Sequence, residues 1–413
     1  MSKKFLFASS IIILAVGYGT FEFLRPPEVV VIGRTPEAAD ETKPQKTVEE
    51  RVAEAKAHSQ NVKGLYVTAA VANDQGRPAS HLRNEILRLA DTTEINAVVI
   101  DVKETQGPEM TSNLKPFLDV LKSKNIWRIA RVATFRDNSK IATHPEYYLK
   151  RADGKIWRDD KGNAWMDPMA TGTRNYILDF SQRVIDRGFD ELQFDYVRFP
   201  SDGDTKTIVY PAYDKKVMDK PTALKSFFAF LHDNLKSYKP EIILSGDLFG
   251  YVAIEKEDFG VGQRLEDVGA SFDYISPMLY PSHFYSGFYA AKDVYRNLPS
   301  LYFPYRGSPT STLVSARPFD VVYRSLFMAQ DILAGRDSAT TSTSSLAVVS
   351  EKPQALLRPW LQDFDLGVDT SRGIYYDMNA VRAQIDAAER AGSSGWLLWS
   401  PDNVYTEAAL RKE

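Results

Sequence analysis

Carboxylates that close short apolar runs are the residues of this chain best placed to do chemistry. Asp195 sits in Glu191–Pro200 (ELQFDYVRFP), Asp101 near the end of VVIDVKE, Asp247 in IILSGDLFG and Asp363 in PWLQDF. An ionised Asp among apolar residues is costly unless it is paired or solvated in a cleft. Cations accompany them: Lys103, Arg131 in RIARVATF, and Arg198. One such Asp alone reads as an ion pair or a cap, whereas the whole set exceeds what core packing needs and marks a cleft. Two carboxyl groups flanking a glycosidic bond can break it. One protonates the leaving oxygen, and the other attacks the sugar or activates water. Asp195 and Asp247 are the catalytic candidates. Tyr66, Asp101, Lys103, Arg131, Arg198, Tyr280, His283, Asp363 and Trp399 are the candidates for holding substrate, since aromatic floors and carboxylate walls suit the apolar faces and hydroxyl edges of sugars.

These side chains can meet only if their segments are neighbouring strands. Alternation puts Gln193, Asp195 and Val197 on one face of their run, with Leu192, Phe194 and Tyr196 on the other. By the same rule Val99, Asp101 and Lys103 share a face, as do Ile243, Ser245 and Asp247. Eight strands are expected: Gly64–Ala69, Ala97–Lys103, Trp127–Ala133, Glu191–Val197, Ile242–Leu248, Tyr274–Tyr280, Pro359–Phe364 and Gly395–Ser400. Helical segments fall between them, namely His81–Ala90, Leu114–Lys124, Arg174–Arg187, Ala223–Tyr238, Pro318–Ala334 and Ala380–Ala391. Strands alternating with helices in this number predict an α/β fold of the (β/α)8 TIM-barrel class, whose strand ends converge on one rim. A doubly wound open sheet is the alternative, but no G-x-G-x-x-G turn follows the first strand. Two crossovers are long, Arg136–Arg174 and Pro281–Arg358; the second holds the Ser/Thr-rich stretch Asp337–Ser345, read as a surface loop.

Local surroundings divide the labour between the two catalytic candidates. Asp247 lies between Gly246 and Leu248-Phe249, an apolar setting that disfavours its charged form. Asp195 has Tyr196 and Arg198 close by to keep it ionised. Asp195 is therefore expected to be nucleophile or charge stabiliser and Asp247 general acid/base. Neighbouring strands lie about 4.7–4.9 Å apart, which admits the roughly 5–5.5 Å of a retaining pair and, with side-chain reach, the wider inverting separation.

Composition removes other classes. A formal net charge of −3 offers no basic footprint for nucleic acid. Without cysteine, disulfides and thiolate metal sites are excluded, and the five histidines include no pair at zinc-ligand spacing. No cofactor is expected. Two rival readings remain: a divalent-metal enzyme using Asp101, Asp195, Asp247 and Asp363 as oxygen ligands, and a non-catalytic carbohydrate-binding barrel at the cell surface.

Lys3 and Lys4 precede an uncharged run, Phe5–Thr20, that continues to Leu24 across Glu22. Residues 1–24 are expected to be an uncleaved membrane anchor, with the basic start inside and the bulk of the chain extracytoplasmic; the alternative is secretion after signal cleavage. Residues 25–62 read as a linker in which Thr47-x-x-Glu50 opens a short helix, and residues 63–413 as the barrel domain. The partners expected are a polysaccharide or oligosaccharide and the membrane.

Several long motifs carry a family resemblance: VKGLYVTA, NAVVIDVKE, AWMDP, GFDELQFDYVRFPSDG, SGDLFG, LEDVGASFDYISPMLYPSH, RPWLQDF and GWLLWSPDNVY. Together, over about Lys63–Tyr405, they resemble a family of bacterial barrel proteins catalogued as a glycoside hydrolase domain. The resemblance implies a (β/α)8 barrel distantly related to the α-amylase and α-galactosidase superfamilies. It implies Asp195 as the strand-four nucleophile, although those relatives carry Arg or Lys two positions earlier, where this chain has Gln193. Asp247 is the looser match to the acid/base. Asp167 in AWMDP also matches and reads as a helix-entry cap.

Overall fold

The computed structural model describes residues 46–307, 311–336 and 355–412. The expected anchor at 1–24, most of the linker and the Ser/Thr-rich stretch lie outside the described residues. No helix among the described residues is long and apolar enough to cross a membrane.

Eight parallel strands close on themselves. They are β1 Val62–Val67, β2 Ala97–Glu104, β3 Trp127–Ala133, β4 Glu191–Asp195, β5 Ile243–Phe249, β6 Tyr274–Met278, β7 Trp360–Gln362 and β8 Gly395–Trp399. Each pairs with its successor, and β1 pairs with both β2 and β8, so these eight strands form a closed barrel, with the two-residue strands Gly107–Pro108 and Leu356–Leu357 added beside β2 and β6. Closure is tight at Gly395, where φ is +86° and a Cβ would stand 1.9 Å from the carbonyl oxygen of Val62. Only glycine can start β8 there.

The principal helices are α1 Val48–Ser59, α2 Arg77–Thr92, α3 Leu114–Ser123, α4 Thr171–Asp186, α5 Lys220–Tyr238, the single turn α6 Leu265–Gly269, α7 Pro318–Leu333 and α8 Met378–Arg390, with short helical turns at Ala69–Asn73 and Gly367–Thr370. Thr47 and Glu50 cap α1 reciprocally, at 3.2 and 2.8 Å. This helix packs at the N-terminal mouth of the barrel. There the Ser59 hydroxyl meets Tyr274 at 2.9 Å and the Ser59 carbonyl accepts from Arg358 at 2.7 Å.

Alternation along the strands produces two cores. Leu192, Phe194, Val98 and Ile100 join the large layer between sheet and helices, while Tyr66, Ala97, Val99, Ile129, Ile243, Trp360 and Leu397 fill the barrel. Burying each large aliphatic side chain contributes about 1.5–3 kcal/mol, so reversing the strand faces is prohibitive. The lower barrel also holds a charged plug. Glu191 and Arg358 are fully buried and paired at 2.9 Å, and Glu191 accepts further bonds from Trp127 and Ser245 at 2.9 and 2.6 Å.

The long segment after β3 is ordered by short antiparallel bridges, among them Arg136 with Trp165 and Tyr148 with Met166. The one after β6 carries a hairpin, Phe288–Ala290 against Leu301–Phe303.

Three local expectations are corrected. β4 ends at Asp195, because Tyr196 takes φ +49°, so Val197 leaves the alternating pattern and is buried in the outer core. β2 has an irregularity in which Asp101 pairs with Arg131 but Lys103 with Val132. That extra residue turns Lys103 off the face of Asp101. β7 ends at Gln362, which puts Asp363 beyond the strand.

Candidate active site

The C-terminal rim is built around Arg131. It stands level with Asp101 on β2 and with Gln193 on β4, one inward step below Asp195. Its long side chain bridges three strands. Nη1 donates to Asp101 Oδ1 at 2.5 Å, Nη2 donates to Asp195 Oδ2, and Nε lies 3.6 Å from Asp247 Oδ2. The Tyr66 hydroxyl donates to the other oxygen of Asp101. Asp195 Oδ1 accepts from the Tyr196 backbone N–H at 2.5 Å, and Asp247 Oδ1 accepts from the Trp360 indole at 2.8 Å. Asp247 Oδ2 is buried and has no hydrogen-bond partner among the described residues.

One guanidinium cannot neutralise three carboxylates, so the proton distribution follows from burial and neighbours. Burial and the negative charge of Asp195 push Asp247 well above the usual carboxylate range, against the opposing pull of Arg131 and the Trp360 bond. Burial also raises Asp101, although Arg131 and Tyr66 counter it. Burial alone would lower Arg131, but Asp101, Asp195, Tyr66 and Asp247 outweigh it and hold the charge in place. The arrangement sets an acid bonded to a guanidinium and a backbone N–H beside a second acid whose burial disfavours its charged form and whose Oδ2 accepts no hydrogen bond among the described residues.

Aromatic rings wall the site. Tyr66 stacks on Trp399 with centroids 3.9 Å apart, Trp360 meets Trp399 edge-on at 5.6 Å, and the Arg131 guanidinium lies 5.0 Å from the Trp399 ring. Tyr280 is buried, and its phenol is pushed up by burial and by Asp247. With Phe249, Tyr251, Met278, His283 and Tyr285 it lines an adjoining cavity of about 290 Å³. His283 stacks on Tyr285, and burial lowers its pKa, which keeps the imidazole neutral at pH 7.

The structure thus gathers Tyr66, Asp101, Arg131, Asp195, Asp247 and Trp399, with Tyr280 and His283 on the adjoining wall. Arg198 lies alongside, packed on Trp165 and Phe249 at 4.8 and 4.4 Å.

Two expected substrate-binding residues are elsewhere. Lys103 is wholly buried outside the barrel in an ion pair with Asp137 at 2.8 Å, the consequence of the irregularity in β2. Asp363 accepts from the Thr406 N–H and hydroxyl at 2.9 and 2.7 Å, so it fastens the segment after β8. This also breaks up the four-Asp metal set, and no group of three metal-binding side chains occurs among the described residues. Asp167 is not a helix cap: it accepts from Met169, Ala212 and Tyr213 N–H groups and staples two loops.

Sequence reasoning missed two residues. Trp360 is visible in PWLQDF, but only the tertiary structure sets its indole against Asp247. Glu104 is half-buried at the same rim and is raised by burial and by Asp101; its placement depends on the irregularity in β2.

A family described as "putative glycosyl hydrolase domain" matches residues 108–405. The chain belongs to this family. Among solved structures, this family member is similar to the PgaB (BpsB) glycoside hydrolase domain from Bordetella bronchiseptica. That likeness is 13% identity over 83% of this chain and 95% of that one, with a TM-score of 0.54, and it bears on the fold. A hypothetical protein from Ruminiclostridium thermocellum is 27% identical over 44% of this chain and 96% of its own, with a TM-score of 0.38. The α-galactosidase TtGalA from Thermus thermophilus is 11% identical over 86% of this chain and 62% of its own, with a TM-score of 0.47. No curated protein matches the sequence.

Proposed function

We propose that the protein is a glycoside hydrolase cleaving O-glycosidic bonds of an extracytoplasmic polysaccharide, with Asp247 as general acid/base and Asp195 as nucleophile or charge stabiliser. The observation that carries this reading is the asymmetry of the pair. Asp195 accepts bonds from Arg131 and the Tyr196 N–H, while burial and the Asp195 charge push Asp247 well above the usual carboxylate range and its Oδ2 accepts no hydrogen bond among the described residues. Arg131 also answers the departure at Gln193, because the neighbouring strand supplies the cation that the superfamily relatives place two residues before the nucleophile.

In the reaction, Asp247 gives its proton to the glycosidic oxygen as the bond to the anomeric carbon breaks. Asp195 meets the developing positive charge there. In a retaining course Asp247 then takes a proton from the water that releases the sugar. Trp399 and Tyr66 offer a stacking floor, and Tyr280 with His283 a second wall. The same reading divides the chain into anchor 1–24, linker 25–62 and barrel 63–413, with the barrel outside the cytoplasm; membrane fractionation with protease protection checks that arrangement.

New reducing ends from a panel of exopolysaccharides and wall glycans are expected with the full-length protein. Asp247→Ala should spare glycosyl transfer from aryl or fluoride glycosides, whose leaving groups need little protonation, with azide restoring turnover. Asp195→Ala should abolish both activities. Glycan binding that persists through both substitutions, without cleavage by the wild type, would establish the binding-only barrel instead.

A further inference from the structure

Beside the paired carboxylates lie two guanidiniums that form no ion pair with an acid among the described residues. Arg198 is buried, and only its Nη1 is engaged, donating to the Phe199 carbonyl at 3.1 Å and to the Ser201 hydroxyl at 3.2 Å, both neutral acceptors. Aromatic rings hold it: Trp165, Phe249 and, at 5.7 Å, Tyr196. Arg136 lies 3.8 Å from the Tyr196 ring and is otherwise bonded through Nε to the Thr105 hydroxyl at 2.9 Å. Neither has an ion-pair partner among the described residues, in contrast to Arg131 with its three acids.

Burial is an expensive place for an uncompensated cation, because the desolvation cost is recovered only by a counter-charge or well-aimed acceptors. Aromatic faces recover part of it. Burial pushes Arg198 down to about 10, against the raising pull of the Asp195, Tyr196 and Asp202 charges, so the guanidinium still carries its charge at neutral pH. Its Nε and Nη2 make no hydrogen bond to the described residues. That edge is the planar donor fork that matches an oxyanion two-to-two. Tyr196, beside both guanidiniums, is held at φ +49° directly after Asp195. A bulky residue in that region is strained by roughly 1–2 kcal/mol, and such strain gathers at ligand sites. Phe249, under Arg198, also lines the 290 Å³ cavity next to Asp247.

We infer that Arg198, with Arg136, forms an anion subsite, and that the polysaccharide cleaved here is an acidic one whose carboxylate or sulfate substituent docks on the Nε–Nη2 edge of Arg198. The inference rests on the hydrolase reading and names its substrate class. The anion docks on Arg198 rather than Arg131 because both terminal nitrogens of Arg131 are already taken by Asp101 and Asp195.

The test measures equilibrium binding by calorimetry on full-length Asp247→Asn protein, so that turnover plays no part. The probes are hexamers of galacturonate and glucuronate with their carboxyl-reduced counterparts, and a sulfated oligosaccharide with its desulfated form. At least one acidic member should bind about tenfold or more tighter than its neutral counterpart, with the charged pair that shows the difference identifying carboxylate or sulfate. Added Arg198→Gln should remove that preference, so that acidic and neutral forms bind alike. Should that variant fail to fold, the half-exposed Arg136→Gln should reduce the preference severalfold. Equal binding of acidic and neutral forms, no binding of any acidic form, or a preference that survives the substitutions overturns the inference. Cleavage confined to neutral glycans would sink the subsite and spare the hydrolase, whereas an acidic preference in a protein whose wild type cleaves nothing would do the reverse.

Discussion

Replacing Arg131 with Met should destabilise the protein in a pH-dependent way, and the structure sets both the size and the sign. The guanidinium holds Asp101 and Asp195 directly and faces Asp247 at 3.6 Å, all of them buried. Removing one partner of a buried ion pair costs about 3–5 kcal/mol, because the remaining charge is left uncompensated. The acids can escape that cost only by taking up protons. Arg131 is a lowering influence on both Asp101 and Asp247, so its loss raises carboxyl pKa values further above the unfolded value of about 3.9. An acid raised in the folded state contributes stability below its unfolded pKa and loses it as pH rises through the folded pKa. The deficit of the variant should therefore be small near pH 4 and reach its full size by about pH 8. Denaturant titrations followed by tryptophan fluorescence at several pH values would measure this, since Trp360 and Trp399 flank the site. A deficit that is the same at both ends of the range would refute the reasoning. So would one under about 1 kcal/mol at pH 8, the size of an exposed pair.

Two further substitutions test the site. Trp360→Phe removes the 2.8 Å bond to Asp247, which lowers that acid's pKa. The alkaline limb of kcat/KM should move up by about 1–2 pH units, since a bond to a charged acceptor is worth about 1.5–3 kcal/mol; an unmoved limb would show that Asp247 is not the acid. Asp363→Asn weakens the fastening to Thr406 and should cost about 1–3 kcal/mol of stability with KM unchanged. A raised KM with normal stability would return Asp363 to the substrate site.

The sequence alone determined where the strands lie and which face of most of them is apolar, because period-two alternation and the hydrophobic effect act over a few residues. Asp101, Asp195 and Asp247 could be picked out on that basis, as could Tyr66 and Trp399, and the count of strands pointed to a closed barrel. Local pattern does not carry the level at which side chains of different strands meet. That level comes from the stagger of the closed barrel, and it decides that Arg131, rather than a residue two places before Asp195, supplies the cation. Nor does local pattern announce one extra residue in β2 that carries Lys103 out to Asp137, or a strand that ends two residues early and hands Asp363 to Thr406. Trp360 and Arg198, which forms no ion pair among the described residues, have meaning only through partners distant in sequence. The tertiary structure decided these because electrostatic pairing depends on distance in space, and alternation along a strand reports only direction.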